Sequence, residues 1–377
     1  MILNSELTNV SDMIADWLRK EVKPVCAEFD ANPDHALPEK LYAGMLELGL
    51  NLIAVPEEFG GLGLSCVEQT LIAEQLGRYE AGLGSAVGVN ASATHLVEKF
   101  ANDAQKKIFF DILVSGGWAG FCLTEPNAGS DAAGVATTAV EDNDDYVLNG
   151  AKCFITNGAI AGVYTVFATV DKSLGLKGIT CFLVERDRDG ISIGKYEDKM
   201  GIRLSNTTEV IFDNVRVPKD HVIGKIGSGF KIAMGTLNES RINVGAMGVG
   251  LASRALDEAI EYAKTRVQFK KPIADLQMIQ GMLADMAMDV ESARQLVYHT
   301  AELVDAGLPY TKYSSMSKCR GSDVAMKVSV NALQVFGGYG YMKEYPMEKL
   351  VRDAKILQIY EGTNQVQRTV VAKELLK

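Results

Sequence analysis

The sequence predicts a mainly α-helical protein with a β-domain inserted in its middle. Apolar residues recur at three- and four-residue steps through residues 1–115 and again from 226 to 377, the spacing that lines one face of a helix. Residues 116–225 instead hold short runs rich in Val, Ile, Thr, Phe and Tyr, broken by Gly, Asn and Asp, with no helix-length segment between them. That texture fits an antiparallel sheet or barrel better than βαβ units. At 377 residues the chain exceeds one ordinary core, so two or three domains sharing interfaces are expected, and the change of texture divides it into three at those boundaries.

Taken in order, "SDMIADWLRKEVKPVCAEF" places Met13, Ile14, Trp17, Leu18 and Val22 on one helical face. Residues 54–65, "AVPEEFGGLGLS", form a Gly-rich loop before the helical pattern of "VEQTLIAEQLGRY". The β-runs are "WAGFCLTEP", "ATTAVE", "DYVLNGAKCFITNG", "VYTVFATV", "ITCFLVER" and "TEVIFDNVRV". Long helices then cover 238–266, 275–305 and 314–336, with Gly307 and Pro309 marking a break. In the second of these, Ile279, Met282, Met286, Val290, Ala293 and Val297 make a bundle-like stripe whose methionines are read as packing.

Hydrophobic residues at 47% and charged residues at 23% are the balance of a soluble globular protein. A net charge of -10 argues against broad contact with nucleic acid or anionic membrane, while leaving room for a local basic pocket. The N-terminus is acidic and polar, and no apolar run reaches the about 18 residues of a membrane span, so the cytoplasm is the expected location. The six cysteines are scattered without C-x-x-C spacing and read as reduced, structural thiols. His35, His95, His221 and His299 are equally dispersed, and no metal is implied.

Two Gly clusters, "GVGLAS" (248–253) and "GGYGYM" (337–342), fail as dinucleotide fingerprints, because such a loop must follow a strand and open a helix. "FCLTEPNAGSDAAGVAT" (121–137) ends a β-run and packs Thr124, Asn127, Gly129, Ser130 and Asp131 into one loop. It reads either as a ligand loop or as a polar turn capped by Ser130 or Asp131. "LQIYEGTNQVQR" (357–368) sets Glu361 directly before Gly362 and Thr363. Physically, Glu361 is either a solvated loop acid or a carboxylate brought close to a ligand by the freedom of Gly362.

These motifs, with "PEEFGGLG", "GAKCFITNG", "RVQF" and "GGYGYMKEYPMEKLVRDAKILQIYEGT", resemble the acyl-CoA dehydrogenase family over essentially the whole chain and in the family's order. The resemblance implies an N-terminal helical domain, a middle β-barrel-like domain and a C-terminal four-helix bundle. It implies FAD as cofactor, acyl-CoA as substrate, an electron-transferring flavoprotein as redox partner, and a homotetramer built as a dimer of dimers.

Matched position by position, Thr124 and Thr156 resemble the residues that hydrogen-bond the flavin ring, and Phe154 the aromatic beside it, where Trp is common in the family. Phe121, Leu123 and Ser130 fall in the same flavin-proximal loop, Ser130 also near the pyrophosphate and the substrate. Arg266, Gln268 and Phe269 match the segment that reaches the FAD of a neighbouring subunit, joined by Gln277, Gln334, Gly337 and Gly338. Thr363 and Gln365 match FAD contacts beside the base. Asn238 and Arg241 match the CoA-handling region, although the family often has Asp where Asn238 stands, and Tyr360 and Gly362 flank Glu361 at the substrate.

Glu361 matches the family's catalytic base. An α-proton next to a thioester is only weakly acidic, so the implied reaction needs a positioned carboxylate to take it while the enolate charge is stabilised, here by the Glu361 N–H and a flavin hydroxyl. The β-hydrogen leaves as hydride to flavin N5. The same residues serve a reductase running toward the saturated thioester, and a silent flavin- or CoA-binding scaffold is the reading from another class. The acyl group is left open, since residues 84–96, "GSAVGVNASATHL", set the pocket's depth. They hold no Arg to pair with a distal carboxylate.

Overall fold

The computed structural model describes residues 5–33 and 39–377, so His35 and the first four residues lie outside the described part. Helix α1 (Ser5–Trp17) runs on through a wider turn, Leu18–Val22. Ile14, Leu18 and Val22 form its buried line, with Trp17 partly covered. Met13 is 51% exposed and departs from the expected face, because it stands about 100° round the helix from Ile14. Helices α2 (Cys26–Ala31), α3 (Glu39–Glu47), α4 (Cys66–Tyr79), α5 (Ala81–Phe100) and α6 (Asp103–Val114) follow. Their starts are written locally: Ser65 with Glu68 and Asn102 with Gln105 form capping boxes, each pair satisfying two otherwise unpaired N–H groups.

The middle of the chain forms β1 (Trp118–Cys122), β2 (Thr138–Asp142), β3 (Asp145–Thr156), β4 (Ala161–Thr169), β5 (Ile179–Glu185), β6 (Ile191–Tyr196), β7 (Thr207–Pro218) and β8 (Val222–Ile223). They make one eight-stranded sheet ordered β6-β7-β3-β2-β4-β5-β8, with β1 beside β4. Strands β6 and β8 were not among the expected runs, since "ISIGKY" carries a mid-strand Gly and β8 is two residues long. The ladders are mostly antiparallel, but β4 pairs in parallel with β1 and, through Thr138 and Thr169, with β2. An all-antiparallel expectation fails there because the chain completes β2 and β3 before β4 lies down, a crossover long enough to reverse direction.

The C-terminal region holds α7 (Gly229–Thr265), a hairpin of β9 (Val267–Gln268) and β10 (Lys271–Pro272), then α8 (Gln277–Asp305), α9 (Thr311–Phe336), α10 (Met347–Leu357) and α11 (Asn364–Leu375). One apolar core runs between α7, α8, α9 and α10, with Met286, Val290, Ala293 and Val297 buried and Ile279 and Met282 at its edge. The "GVGLAS" glycines lie inside α7 and serve contact between helices. A Cβ on Gly250 would stand 1.9 Å from the Glu74 carbonyl of α4, and one on Gly248 2.5 Å from the Gly321 carbonyl of α9. All six cysteines are free thiols, and no helix among the described residues is long and apolar enough to cross a membrane.

A buried ionic cluster ties the three regions together. Lys349 of α10 donates to Glu80, the N-cap of α5, at 2.7 Å and to Asp353 at 2.6 Å. Asp353 also accepts the Ile202 N–H from the β6–β7 connection at 2.6 Å, and Glu80 that of Gly82 at 3.1 Å. Replacing Lys349 with Met strands two buried carboxylates without their cation, which should destabilise the protein by about 3–5 kcal/mol. Chemical denaturation measures this, and a loss below about 1 kcal/mol would show that the cluster does not hold the regions together.

Candidate active site

Between α10 and α11 the chain turns through Glu361 (φ 54°) and Gly362 (φ 92°), two successive left-handed residues. Glycine accepts this readily, whereas a glutamate does so only when its surroundings hold it. Arg241 of α7 donates to the Glu361 carbonyl at 3.2 Å, and Gln367 of α11 to the same oxygen at 3.3 Å. Behind the turn, buried Lys318 of α9 donates to Asn364 at 2.8 Å, Asn364 donates to Asp323 at 2.8 Å, and Ser315 to Gln367 at 2.9 Å. Burial pulls the Lys318 ammonium down to about 8, against the opposing pull of Cys319 and the Glu361 carboxylate.

The Glu361 carboxylate accepts a hydrogen bond from the Ser240 hydroxyl of α7. Part of its surface opens on a cleft, yet the surrounding protein removes most of its hydration. Desolvation therefore raises its pKa above the ordinary carboxylate range, opposed by Ser240, Arg241 and Lys318. No acceptor among the described residues takes the Glu361 N–H. The Tyr360 hydroxyl lies 3.3 Å from that of Ser85 on α5.

The cleft has a volume of about 280 Å³, and its far wall is built by the sheet. Phe121, at the end of β1 and braced by the Phe167 ring at 5.1 Å, lines it with Leu123, Thr124 and Ser130. The loop that carries Thr124 is stapled by a buried pair: Lys152 of β3 meets Glu125 at 2.6 Å and the Leu123 carbonyl at 3.1 Å. Glu125 also accepts the N–H groups of Ala136 and Thr137, closing the loop at its other end. Burial works against the charge on Glu125, but the Lys152 ammonium outweighs it and holds the carboxyl below its usual range. Asp131 stands at the start of the short turn Ala132–Gly134 without making a capping bond, and it lines the cleft with Ser130.

The β3–β7 register slips between Lys152 and Ile155, and Phe154 sits in that bulge with φ 57°. The bulge throws its ring outward, 63% exposed, into the cleft beside Thr156. Arg241, Tyr360, Glu361 and Gly362 complete the expected group on this cleft.

Five other expected residues gather elsewhere. Arg266, Gln268, Phe269, Gly337 and Gly338 line a separate hollow with Tyr262, Phe336 and Tyr339, where the Arg266 guanidinium lies 5.3 Å from the centre of the Tyr339 ring. Phe269 and Lys270 form the two-residue tip of the β9–β10 hairpin, both at positive φ, a conformation usually left to Asn or Gly. Phe269 is 84% exposed.

The remaining expected residues line neither site. Gln277, Gln334 and Gln365 are exposed on α8, α9 and α11. Thr363 caps α11 by accepting the Val366 N–H, and Asn238 accepts a hydrogen bond from Arg241 at 2.6 Å. Conversely, sequence reasoning missed the cleft-lining Phe230, Met234, Leu237 and Val366, as well as Ser240 and Lys152. Helical spacing of Phe230, Met234 and Leu237 was the available signal, since it marks one face of α7. None marked Ser240.

Models of the acyl-CoA dehydrogenase N-terminal, middle and C-terminal domains match residues 4–117, 120–215 and 227–376. The chain belongs to the acyl-CoA dehydrogenase family. Among its acyl-CoA dehydrogenase relatives is the acryloyl-CoA reductase (NADH) of Anaerotignum propionicum, 44% identical over 100% of this chain and 96% of the relative. Butyryl-CoA dehydrogenase from Megasphaera elsdenii superposes with a TM-score of 0.96 at 42% identity, covering 100% of both chains. A chain solved in work on the electron transferring flavoprotein of Acidaminococcus fermentans also gives 0.96, at 44% identity over 100% and 99% of the two chains.

Within this acyl-CoA dehydrogenase site the Glu361 turn is tightly constrained. A Cβ on Gly362 would stand 2.2 Å from Nε2 of buried Gln367, one of the two donors to the Glu361 carbonyl. Gly362→Ala should therefore lower stability by about 1 kcal/mol or more, through both positive φ and this clash. A thermal unfolding midpoint equal to the parental one would show that the turn relaxes freely.

Proposed function

We propose that this acyl-CoA dehydrogenase interconverts saturated acyl-CoA and 2,3-enoyl-CoA, with Glu361 moving the α-proton. The observation that carries the reading is a carboxylate that is largely dehydrated yet hydrogen-bonded, facing a cleft whose sheet side offers an exposed aromatic ring and two threonines. Desolvation strengthens Glu361 as a proton acceptor, and Ser240, Arg241 and Lys318 keep its charged form accessible. Its unpaired N–H is a ready donor to a thioester oxygen that gains charge as the proton leaves.

FAD fits the residues present. Phe154, held out of the sheet by its bulge, gives an isoalloxazine a flat apolar face, and Thr124 and Thr156 supply hydroxyls at its edge. When bound, FAD supplies the hydride acceptor for the β-carbon. Leu123, Phe121 and Ser130 shape the same wall. Arg266, Gln268, Phe269, Gly337 and Gly338, gathered in a hollow apart from this chain's cleft, are assigned to the FAD of a second subunit in a homotetramer, with Gln277, Gln334, Thr363 and Gln365 as outlying contacts.

Asn238 and Arg241 are assigned to CoA. The acyl end is assigned to α5, whose cleft-lining side chains are Val89 and Ser92. The charged residues around the cleft are Asp131, Arg241 and Glu361, so a short uncharged acyl group fits better than a dicarboxylic one. An electron-transferring flavoprotein is the assigned redox partner, supported by the likeness to the chain solved in work on such a flavoprotein. The likeness to an acryloyl-CoA reductase supports a second reading in which the same residues run toward the saturated thioester. The cytoplasm is the assigned location.

Glu361→Gln keeps size and hydrogen bonding but removes the basic carboxylate. Stopped-flow reduction of the bound flavin by butyryl-CoA should slow by about 10² to 10⁴, with flavin still bound. A variant that reduces its flavin at the parental rate would place the base elsewhere. Arg266→Ala should lower flavin retention through dialysis, and an active, flavin-replete monomer in light scattering would overturn the shared-site assignment.

A further inference from the structure

Ser240 is one residue before Arg241 on α7 and 5% exposed. Its hydroxyl carries one hydrogen and has two acceptors within reach: the Glu361 carboxylate, and the Leu237 carbonyl one turn back along its own helix at 3.2 Å. The second is the ordinary backward bond of a helical serine, made whatever the state of its neighbours. The first is strong only while Glu361 is charged, because a carboxylate accepts a hydrogen bond about twice as strongly as the carbonyl oxygen of a neutral acid.

We propose that Ser240 is a positioning residue whose hydroxyl turns with the protonation state of Glu361. While Glu361 is charged, the hydroxyl donates to it and fixes one carboxylate oxygen, leaving the other free toward the cleft. Once Glu361 has taken a proton from substrate carbon on its cleft-facing oxygen, the oxygen beside Ser240 is only the carbonyl of a neutral acid, a weaker acceptor, and the serine hydrogen swings to the Leu237 carbonyl. One proton moves from carbon to carboxylate, the carbon keeps the electron pair, and the serine hydrogen has an acceptor in either state. In a site stripped of water this matters, because an unpaired buried polar group costs about 1–3 kcal/mol. The other groups facing Glu361 cannot do this. Arg241 and Lys318 are cations that only donate, Arg241 is committed to the Glu361 carbonyl and Asn238, and Lys318 to Asn364. Tyr360 is paired with Ser85, and Asp131 lies on the loop that lines the cleft from the sheet side.

The inference rests on Glu361 being the proton acceptor, and the experiment separates the two. Flavin reduction in the FAD-loaded enzyme by butyryl-CoA is followed by stopped flow across pH for the parent, Ser240→Ala, Ser240→Thr and Ser240→Val. Loss of the one donor that follows the charge should raise the midpoint of the acid limb by about one pH unit in the Ala and Val variants. Below that midpoint reduction should slow about tenfold. Ser240→Thr restores a hydroxyl on the same β-branched shape as Val, so it should bring the midpoint back toward the parental value while Val does not. That difference is one a purely structural role would not produce. Coincident midpoints for Thr and Val, with flavin content and thermal unfolding alike, would overturn the proposal while leaving Glu361 as base. A parental rate in Glu361→Gln would instead overturn the base itself.

Discussion

The position of α10 is fixed by one buried ammonium shared between two carboxylates, and the Glu361 turn follows directly from that helix. Lys349, Glu80 and Asp353 belong to two helical regions, and the Ile202 N–H brings in the sheet. Bringing three charges out of water is unfavourable in itself, and attraction repays it only where the remaining lone pairs are also met. Here two backbone N–H groups meet them. Desolvation still raises the Glu80 pKa, with the Lys349 charge opposing it. One turn further on, Arg352 grips Asp30 of α2 and Glu348, so α10 is held on two sides before the chain enters the Glu361 turn.

A common tension runs through the cleft. Its polar groups must lose water to be effective, yet each must remain ionised or able to ionise. The structure answers it twice with the same device, a buried lysine. Lys152 neutralises Glu125 outright and spends that carboxylate on backbone N–H groups that shape the Thr124 loop. Lys318 stays one residue removed, bonded to Asn364, so its field reaches Glu361 without capturing it. A direct ion pair would have made Glu361 a poor base, and distance preserves its basicity.

Much of this was legible in the sequence because it is local. The 3.6-residue stripe of α8 and the Gly307 break are each written within a few residues. The same holds for the Glu361–Gly362 turn, whose meaning came from the family's motif. What was not legible depends on residues far apart in the chain. Lys152 looks like an ordinary strand lysine until Glu125 is folded against it, and Ser240 looks like any helical serine until Glu361 arrives from 121 residues away. Phe154 lines the cleft, but the bulge that exposes it follows from a register slip against β7 that alternation along β3 does not reveal. Met13 failed for the opposite reason. A local pattern was drawn wider than the face the fold covers.

The parallel pairing of β1 with β4 also sets an order in time. Trp118–Cys122 emerges from the ribosome well before Ala161–Thr169, the strand it must lie against. At about 5–20 residues per second, the interval is on the order of several seconds. During it β1 has an unsatisfied edge and exposes Trp118, which the mature protein buries. The wall that carries Phe121 and Thr124 is thus begun before the strand that completes its pairing exists.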